Sequence, residues 1–226
     1  KVKTNCVAYD KMERYFPKEK IVFTGNPVRE NLIENIQKNN EALQYFNLNE
    51  NDKVILIIGG SLGARSINNS VLKNIDTIAK SGVKVIWQTG AFYFDNIQNE
   101  LKNRKPENLQ IHKFISRMDL AYSVANVVIS RAGAGTISEL CLVGKPVILI
   151  PSPNVSEDHQ TKNAMALVDK DAAMLVRDNE IDDKLFPTAF KVVNDFDKCN
   201  KLSEKIKTLA KPEATKTIVD EVEKLV

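Results

Sequence analysis

Short runs of apolar, mostly β-branched residues recur along the chain, and stretches of helical length separate them. Such runs are typical of strands that are buried on both faces of a parallel sheet. The pattern predicts six strands, at residues 54–58, 83–87, 109–114, 127–130, 147–150 and 173–176. Their alternation with helices predicts an α/β fold, a Rossmann-like, doubly wound parallel sheet.

The stretches between the strands predict helices over residues 64–81, 92–103, 118–124, 136–143 and 164–170. Residues 183–226 are also helical by pattern, and we expect breaks at Pro187 and Pro212 because proline disrupts a helix interior. One apolar stripe at helical spacing ends the chain. It consists of Ile218, Val222 and Leu225. Such a stripe requires another surface to cover it.

The composition is that of an ordinary globular protein. The chain has 226 residues, of which 43% are hydrophobic and 27% are charged. These values exclude a chain that is disordered, collagen-like or coiled-coil over its whole length. The formal net charge is only +3 and the charges are spread along the chain, so we expect no nucleic-acid partner.

The three cysteines, Cys6, Cys141 and Cys199, lie far apart in the sequence. An odd number without CxxC spacing indicates neither a disulfide framework nor a zinc site, and it is typical of a reducing compartment. No apolar run approaches the roughly 20 residues that a membrane-spanning helix needs. The sequence begins at Lys1 rather than at methionine, so we expect a further segment upstream.

The sequence GGSLGAR at residues 59–65 connects a predicted strand to a predicted helix. Glycines let a backbone approach a ligand closely, and the next helix offers free N–H groups to a phosphate. Ser61 adds a hydroxyl donor. Any tight turn also favours glycine, so phosphate binding and a plain turn both remain open. The motif is neither a Walker loop nor GxGxxG, which argues against a nicotinamide cofactor.

The sequence SRAGAGTISE at residues 130–139 forms a second glycine-bearing turn from a strand into a helix. Thr136 and Glu139 match a capping box, in which Glu139 accepts a hydrogen bond from the backbone N–H of Thr136. Alternatively, the carboxylate accepts two hydrogen bonds from a ribose diol. Because parallel strands end at one edge of an open α/β sheet, both turns are expected at one ligand site.

Two other segments offer polar side chains for the same edge. The stretch 151–163 is predicted to be a polar loop, and its Gln160 and Asn163 are suited to sugar hydroxyls. In GNPVR at residues 25–29, Asn-Pro predicts a turn. Arg29, just after that turn, is a candidate to contact a phosphate or a base. Alternatively, it is an ordinary surface arginine.

The sequence contains no cluster of residues with the spacing of a metal site. The acidic DFD at residues 195–197 falls in the helical tail, so we expect it on the surface. His112 is expected to be structural within a strand, and His159 is expected in an exposed loop. There is also no GxSxG nucleophile elbow. We therefore predict no required cofactor and no divalent metal fixed by protein ligands in this chain.

Five of these segments occur in the same order and at similar spacing in the MurG family of bacterial N-acetylglucosaminyltransferases. They are GNPVR (25–29), GGSLGAR (59–65), WQTG (87–90), SRAGAGTISE (130–139) and DHQTKNA (158–164). The chain resembles this family from about Val7 to its C-terminus. Members of the family convert lipid I to lipid II in peptidoglycan synthesis, with UDP-N-acetylglucosamine as the donor.

The resemblance implies the GT-B architecture, in which two Rossmann-like domains bind the substrates in the cleft between them. The chain resembles the C-terminal, donor-binding half. Residues 1–24 are then the end of the N-terminal domain and the interdomain linker. Residues 25–205 are the UDP-sugar-binding domain, and residues 206–226 are a C-terminal helix that packs back on the N-terminal domain.

The resemblance also implies which residues bind the donor. They are Arg29, Ser61, Gly63, Ile115, Ala134, Gly135, Thr136, Ile137, Ser138, Glu139 and Gln160. The loop that contains Ser61 would bind the diphosphate, Ile115 would bind uracil through its backbone, and Arg29 would contact the UDP portion. Residues 134–138 would surround the ribose and phosphate. Glu139 would then accept from the ribose hydroxyls, and Gln160 would hold the sugar.

By the same resemblance, the catalytic base, the lipid I site and the membrane contact belong to the N-terminal domain. We therefore expect no catalytic residue in this chain, which would bind the donor without transferring the sugar. The full-length protein would be cytoplasmic and peripheral on the inner membrane. Two alternatives remain open, another GT-B UDP-sugar enzyme such as a UDP-N-acetylglucosamine 2-epimerase, and a non-enzymatic nucleotide-binding module.

Overall fold

A parallel sheet of six strands forms the centre of the computed structural model, which describes residues 2–9, 12–29, 32, 37–155 and 158–225. The strands are β3 (Val54–Ile58), β4 (Lys84–Gln88), β5 (Leu109–His112), β6 (Val127–Ser130), β7 (Val147–Leu149) and β8 (Met174–Leu175). Their order across the sheet is β5-β4-β3-β6-β7-β8. The predicted fold class is confirmed, and each strand begins and ends within two residues of its predicted limits.

Helices cover both faces of this sheet. They are α1 (Asn40–Tyr45), α2 (Arg65–Lys73), α3 (Ile75–Lys80), α4 (Phe94–Leu101), α5 (Met118–Val124), α6 (Ala134–Val143), α7 (His159–Val168), α8 (Ile181–Val193), α9 (Phe196–Lys207) and α10 (Ala214–Glu223). Alternate side chains of β3 enter two separate cores. Leu56 packs in one core with Tyr122 and Leu140, and Ile57 packs in the other with Phe186. Burial on both faces explains why β3 is apolar at every position.

A second, two-stranded parallel sheet precedes the main one and consists of β1 (Asn5–Val7) and β2 (Ile21–Phe23). The segment before α10 lies against its end. Lys211 holds its ammonium 4.5 Å from the centre of the Phe23 ring. The predicted domain limits at residues 24 and 205 stay predictions, and Lys1, Asp10, Lys11 and Val226 lie outside the described residues.

Four predicted features differ from the structure. The helix predicted over 64–81 is divided at Asn74, whose amide donates to the carbonyl of Ser70 at 2.9 Å. Pro187 does not end a helix; it lies inside α8, next to Phe186 and Ala189, which are buried. The other two differences, at the starts of α6 and α7, alter the candidate site.

The helix α6 begins at Ala134, with Gly133 at its N-cap position. Thr136 therefore lies inside the first turn, and the predicted capping box does not form. The helix α7 begins at His159, so Gln160 and Asn163 project from a helix rather than from a loop. Residues 156 and 157 of the predicted polar loop lie outside the described residues.

Candidate functional site

A cleft of about 650 Å³ lies at the carboxyl edge of the main sheet, where the strand order reverses between β3 and β6. Ile58 of β3 is level with Ser130 of β6, so the two glycine-bearing turns leave the sheet side by side. Ligands of open α/β sheets bind at such a point. The cleft is lined by Gly59, Gly60, Gly63, Ala64, Arg65, Ser66, Asn69, Tyr93, Arg131, Gly133, Thr136, Ser152, Asn154, Gln160 and Asp178.

The first turn, residues 59–64, packs backbone to backbone against the loop after β4. Gly63 has a φ of +82°, and a Cβ there would lie 2.0 Å from the carbonyl oxygen of Thr89. Gly90 has a φ of +84°, and its Cβ would lie 2.2 Å from the nitrogen of Gly63. Neither position accepts a side chain. Ser61 is exposed on this turn and is not among the residues that line the cleft.

The second turn leads directly into α6. Within the described part of the chain, no side chain caps this helix, so the N–H groups of its first turn are available. A helix N-terminus of this kind favours an anion through its free N–H groups and its positive dipole end. Gly135 is exposed and Thr136 lines the cleft. Ile137 is 3% exposed, so its side chain belongs to the core and only its backbone is near the turn.

Arg131 is held at the wall of the cleft by four hydrogen bonds. It donates to Asp178 at 2.6 Å and to the hydroxyl of Ser66 at 2.7 Å. It also donates to the carbonyls of Ile150 and Pro151 at 3.1 and 3.2 Å. The side chains of Arg131 and Asp178 are only 15% and 21% exposed. The guanidinium is therefore fixed in one place, where the carboxylate of Asp178 balances its charge.

Sequence reasoning missed this cluster. Arg131 lies within the segment 130–139, but no function was predicted for it. Its position beside the glycines was the one signal in the sequence that could have indicated a role. Ser66 and Asp178 carry no local signal, because their partners are distant in the sequence. The bond between Ser66 and Asp178 themselves spans 112 residues.

Gln160 joins the loops that follow β6 and β7. Its Oε1 accepts from the backbone N–H of Ala132 at 3.2 Å and from that of Ser152 at 3.0 Å. Asn163, one turn further along α7, donates to the carbonyl of Ala132 at 3.1 Å. The side-chain oxygen of Gln160 is thus committed to the protein, while the residue itself lines the cleft.

The turn at residues 25–29 docks on the flank of α6. Asn26 donates to the hydroxyl of Ser138 at 3.0 Å and lies 3.5 Å from the carbonyl of Ala134. Arg29 pairs with Glu139 at 3.1 Å, and their side chains are 52% and 22% exposed. Glu139 is one helical turn after Thr136 and shares its face of α6. Neither Arg29 nor Glu139 is among the residues that line the cleft, but Thr136, one turn before Glu139, is.

Gln88, at the end of β4, connects the first turn to the loop after β5. Its Oε1 accepts from the N–H of Ile115 at 2.9 Å, and its amide donates to the carbonyl of Gly60 at 3.3 Å. Ile115 is 2% exposed. The backbone N–H of Ile115 is therefore already occupied. While Gln88 keeps this position, the predicted contact of the Ile115 backbone with a ligand can be made only by the carbonyl oxygen.

The contacts of His112 and of the acidic DFD at residues 195–197 are those of residues that support the fold. Burial lowers the pKa of His112, which ends β5 and packs edge-on against Phe46 at 5.8 Å between ring centres. Asp195 caps α9 by accepting from the N–H of Lys198 at 2.9 Å. His159 is exposed but is the first residue of α7, not part of a loop.

The described residues contain no group of three or more histidine, cysteine, aspartate or glutamate side chains that could hold a metal ion. The expectation that no metal is fixed by the protein stays a prediction. None of the described helices has both the length and the apolar character required to cross a membrane.

Residues 54–222 match the profile of the glycosyltransferase family 28 C-terminal domain. The chain belongs to this family. The match covers both glycine-bearing turns and α7 and extends almost to the end of α10. The cleft described above is therefore the cleft of a glycosyltransferase family 28 domain.

Two curated relatives extend the similarity to nearly the whole chain. Both are named UDP-N-acetylglucosamine--N-acetylmuramyl-(pentapeptide) pyrophosphoryl-undecaprenol N-acetylglucosamine transferase. The protein from Parabacteroides distasonis is 52% identical over 221 residues, which are 98% of this chain and 60% of the relative. The protein from Flavobacterium psychrophilum is 52% identical over 225 residues, 98% of this chain and 59% of the relative. The chain thus spans about 60% of the length of these relatives.

Two solved structures are similar to this chain. MurG of Acinetobacter baumannii is similar with a TM-score of 0.72 and 29% identity, over 98% of this chain and 61% of that one. The UDP-GlcNAc 2-epimerase of Neisseria meningitidis is similar with a TM-score of 0.65 and 17% identity, over 94% of this chain and 58% of that one. The second likeness is one of fold alone.

The predicted resemblance to the MurG family is confirmed, as is the GT-B fold class. Among the predicted donor-binding residues, Gly63, Thr136 and Gln160 line the cleft of this family 28 domain. Arg29 and Glu139 are not among the lining residues. The roles of these residues toward a ligand stay predictions.

Proposed function

We propose that this chain is the donor-binding half of an enzyme that transfers N-acetylglucosamine from UDP-N-acetylglucosamine to lipid I. The observation that carries the proposal is the uncapped N-terminus of α6, which opens beside the first glycine turn into a cleft of about 650 Å³. A nucleoside diphosphate has the charge that such a site favours. The identities of the sugar and of the acceptor are inferred from the names of the curated relatives.

The diphosphate would lie across the two glycine turns. Free N–H groups at the start of α6 would bind one phosphate, and the backbone of the first turn, with the hydroxyl of Ser61, would bind the other. Arg131 would add a fixed positive charge beside them, although Asp178 balances most of it. Arg29 is half exposed, so its guanidinium can turn from Glu139 toward the UDP portion.

The nucleoside and the sugar would occupy opposite ends of the cleft. Uracil would bind the carbonyl oxygen of Ile115, because the N–H of this residue already donates to Gln88. Glu139 would accept hydrogen bonds from the ribose hydroxyls. Gln160 would offer its amide nitrogen to the N-acetylglucosamine, since its oxygen is bound by two backbone N–H groups.

The proposed reaction is an inverting transfer, in which the acceptor hydroxyl attacks the anomeric carbon and UDP leaves. This half would stabilise the negative charge that develops on the departing diphosphate. The general base, the lipid I site and the contact with the cytoplasmic face of the inner membrane would belong to sequence outside this chain. In this proposal no nucleic acid is bound, and no divalent metal is fixed by the protein.

Calorimetric titration of the 226-residue chain with UDP-N-acetylglucosamine, UDP-glucose and ADP-glucose tests the proposal. We expect binding that prefers the first ligand. Glu139→Ala should weaken it by about tenfold to a hundredfold, because hydrogen bonds to a charged group contribute about 1.5–3 kcal/mol.

The matched control is Glu204→Ala, which removes an exposed carboxylate from α9 and should leave affinity unchanged. A preference for ADP-glucose, or equal affinity in the chain and in Glu139→Ala, would contradict the proposal.

A further inference from the structure

Arg65 follows the first glycine turn directly and lines the cleft as the first residue of α2. The side chains of a helix tilt toward its N-terminus, and the N-terminus of α2 lies at the carboxyl edge of the sheet, next to the first turn. Arg65 is also exposed. Its guanidinium is therefore accessible to a ligand that lies on this turn.

The charges on the cleft wall are unequally balanced. Three of the described residues that line the cleft are charged, namely Arg65, Arg131 and Asp178. Arg131 and Asp178 form an ion pair at 2.6 Å, so their charges largely cancel. Within the part of the chain that the structure describes, Arg65 forms no ion pair. The net positive charge of this wall is therefore the charge of Arg65.

Arg29 differs from Arg65 in this respect. Glu139 pairs with Arg29 at 3.1 Å, so Arg29 must leave a carboxylate before it can contact a phosphate. Arg65 has no such contact to break. Its planar guanidinium can offer two parallel N–H groups to phosphate oxygens, which is the geometry that makes arginine a strong phosphate ligand.

We propose that Arg65 binds the phosphate of the donor that is attached to uridine. Across the sheet, the first turn, after β3, lies between the loop after β5, which contains Ile115, and the start of α6, after β6. A phosphate on the first turn is then the one nearer to the nucleoside, and a phosphate at α6 is the one nearer to Gln160. The inference rests on the proposed function, because it requires UDP to lie across both turns.

The test compares Arg65→Gln with the unaltered chain in calorimetric titrations with UDP and with UMP. Loss of a charged contact to the phosphate should weaken the binding of both nucleotides by about tenfold. Uridine has no phosphate and should bind both chains equally in an NMR titration. Arg65→Lys keeps the charge without the planar fork, so it should recover part of the lost affinity.

Ionic strength gives a second readout, which a merely structural role of Arg65 would not change. The screening length falls from about 8 Å at physiological salt to about 3 Å at 1 M salt. The difference in UDP affinity between the unaltered chain and Arg65→Gln should therefore narrow at the higher salt concentration. An undiminished difference would contradict an attraction between Arg65 and the phosphate.

Arg104→Gln is the matched control, because it removes the same charge from a residue that does not line the cleft. Arg104 pairs with Glu100 at the exposed end of α4. Its replacement should change UDP affinity by less than about twofold, since a distant exposed charge is screened by salt. Equal losses of UDP affinity in the two variants would overturn the inference, because they would show an effect of net charge alone.

Three further outcomes separate this inference from the proposed function. Unchanged UDP affinity in Arg65→Gln, with weaker binding in Glu139→Ala, overturns the inference alone. Failure of the unaltered chain to bind UDP overturns the proposed function together with it. A loss of uridine affinity in Arg65→Gln as large as the loss of UDP affinity would indicate a damaged site rather than a lost phosphate contact, and it would also overturn the inference.

Discussion

The two glycine-bearing turns of the cleft look alike in sequence but are held in place by different forces. The first, residues 59–64, lies against the loop after β4 with backbone atoms in direct contact at Gly63 and Gly90. The second, residues 131–134, is held by side chains from distant segments. Arg131 binds Asp178, and Gln160 binds the N–H of Ala132.

This difference predicts which changes each turn tolerates. The first turn excludes any Cβ at its two close contacts, so its geometry depends on sterics. Gly135, in α6 just after the second turn, has open space, and an added Cβ there meets nothing within 4 Å. The geometry of the second turn depends instead on polar partners that the fold brings together. The next three variants test this contrast, from the largest expected loss of stability to the smallest.

Gly63→Ala should destabilise the chain by about 3 kcal/mol or more, because it combines a positive φ with a steric clash. The clash is with the Thr89 carbonyl, 2.0 Å from the added Cβ. Gly135→Ala is the matched control, and it should change stability by no more than about 1 kcal/mol, in the stabilising direction, since alanine favours a helix. Urea unfolding measures both. Similar losses of unfolding free energy in the two variants would contradict the proposed difference between the turns.

Arg131→Met should cost about 2–4 kcal/mol of unfolding free energy, because the mostly buried carboxylate of Asp178 keeps its bond from Ser66 but loses its cationic partner. The control is Arg104→Met, which removes an exposed i,i+4 pair with Glu100 and should cost less than about 1 kcal/mol. Adding Asp178→Asn to Arg131→Met should recover part of the loss. If the two arginine variants unfold at the same urea concentration, Arg131 does not hold the second turn.

Gln160→Ala should cost about 1–2 kcal/mol, since it leaves the N–H groups of Ala132 and Ser152 without an acceptor. Gln160→Glu keeps an acceptor oxygen and should cost less in the same urea titration. Its extra negative charge should nevertheless weaken binding of UDP-N-acetylglucosamine in calorimetry. Equal stability losses in the two variants would show that the acceptor oxygen does not join the loops.

Much of the architecture was predictable because it is encoded locally. The strand β3 is apolar at every position, and β6 is likewise a continuous buried run, so both are readable from a few adjacent residues. The glycines that follow them mark turns, and the order of five motifs identifies the family. Less could be predicted about where helices begin. The start of α7 was misplaced because its polar first turn, near Gln160, resembles a loop in sequence.

The sequence by itself determined the strands, the glycine turns and the family, because these depend on neighbouring residues and on motif order. Only the tertiary structure decided how the site is assembled. Asn26 reaches Ser138 across 112 residues, and Arg131 reaches Asp178 across 47. Such contacts follow from strand order and helix packing, and no local pattern of residues specifies which distant partner a polar side chain meets.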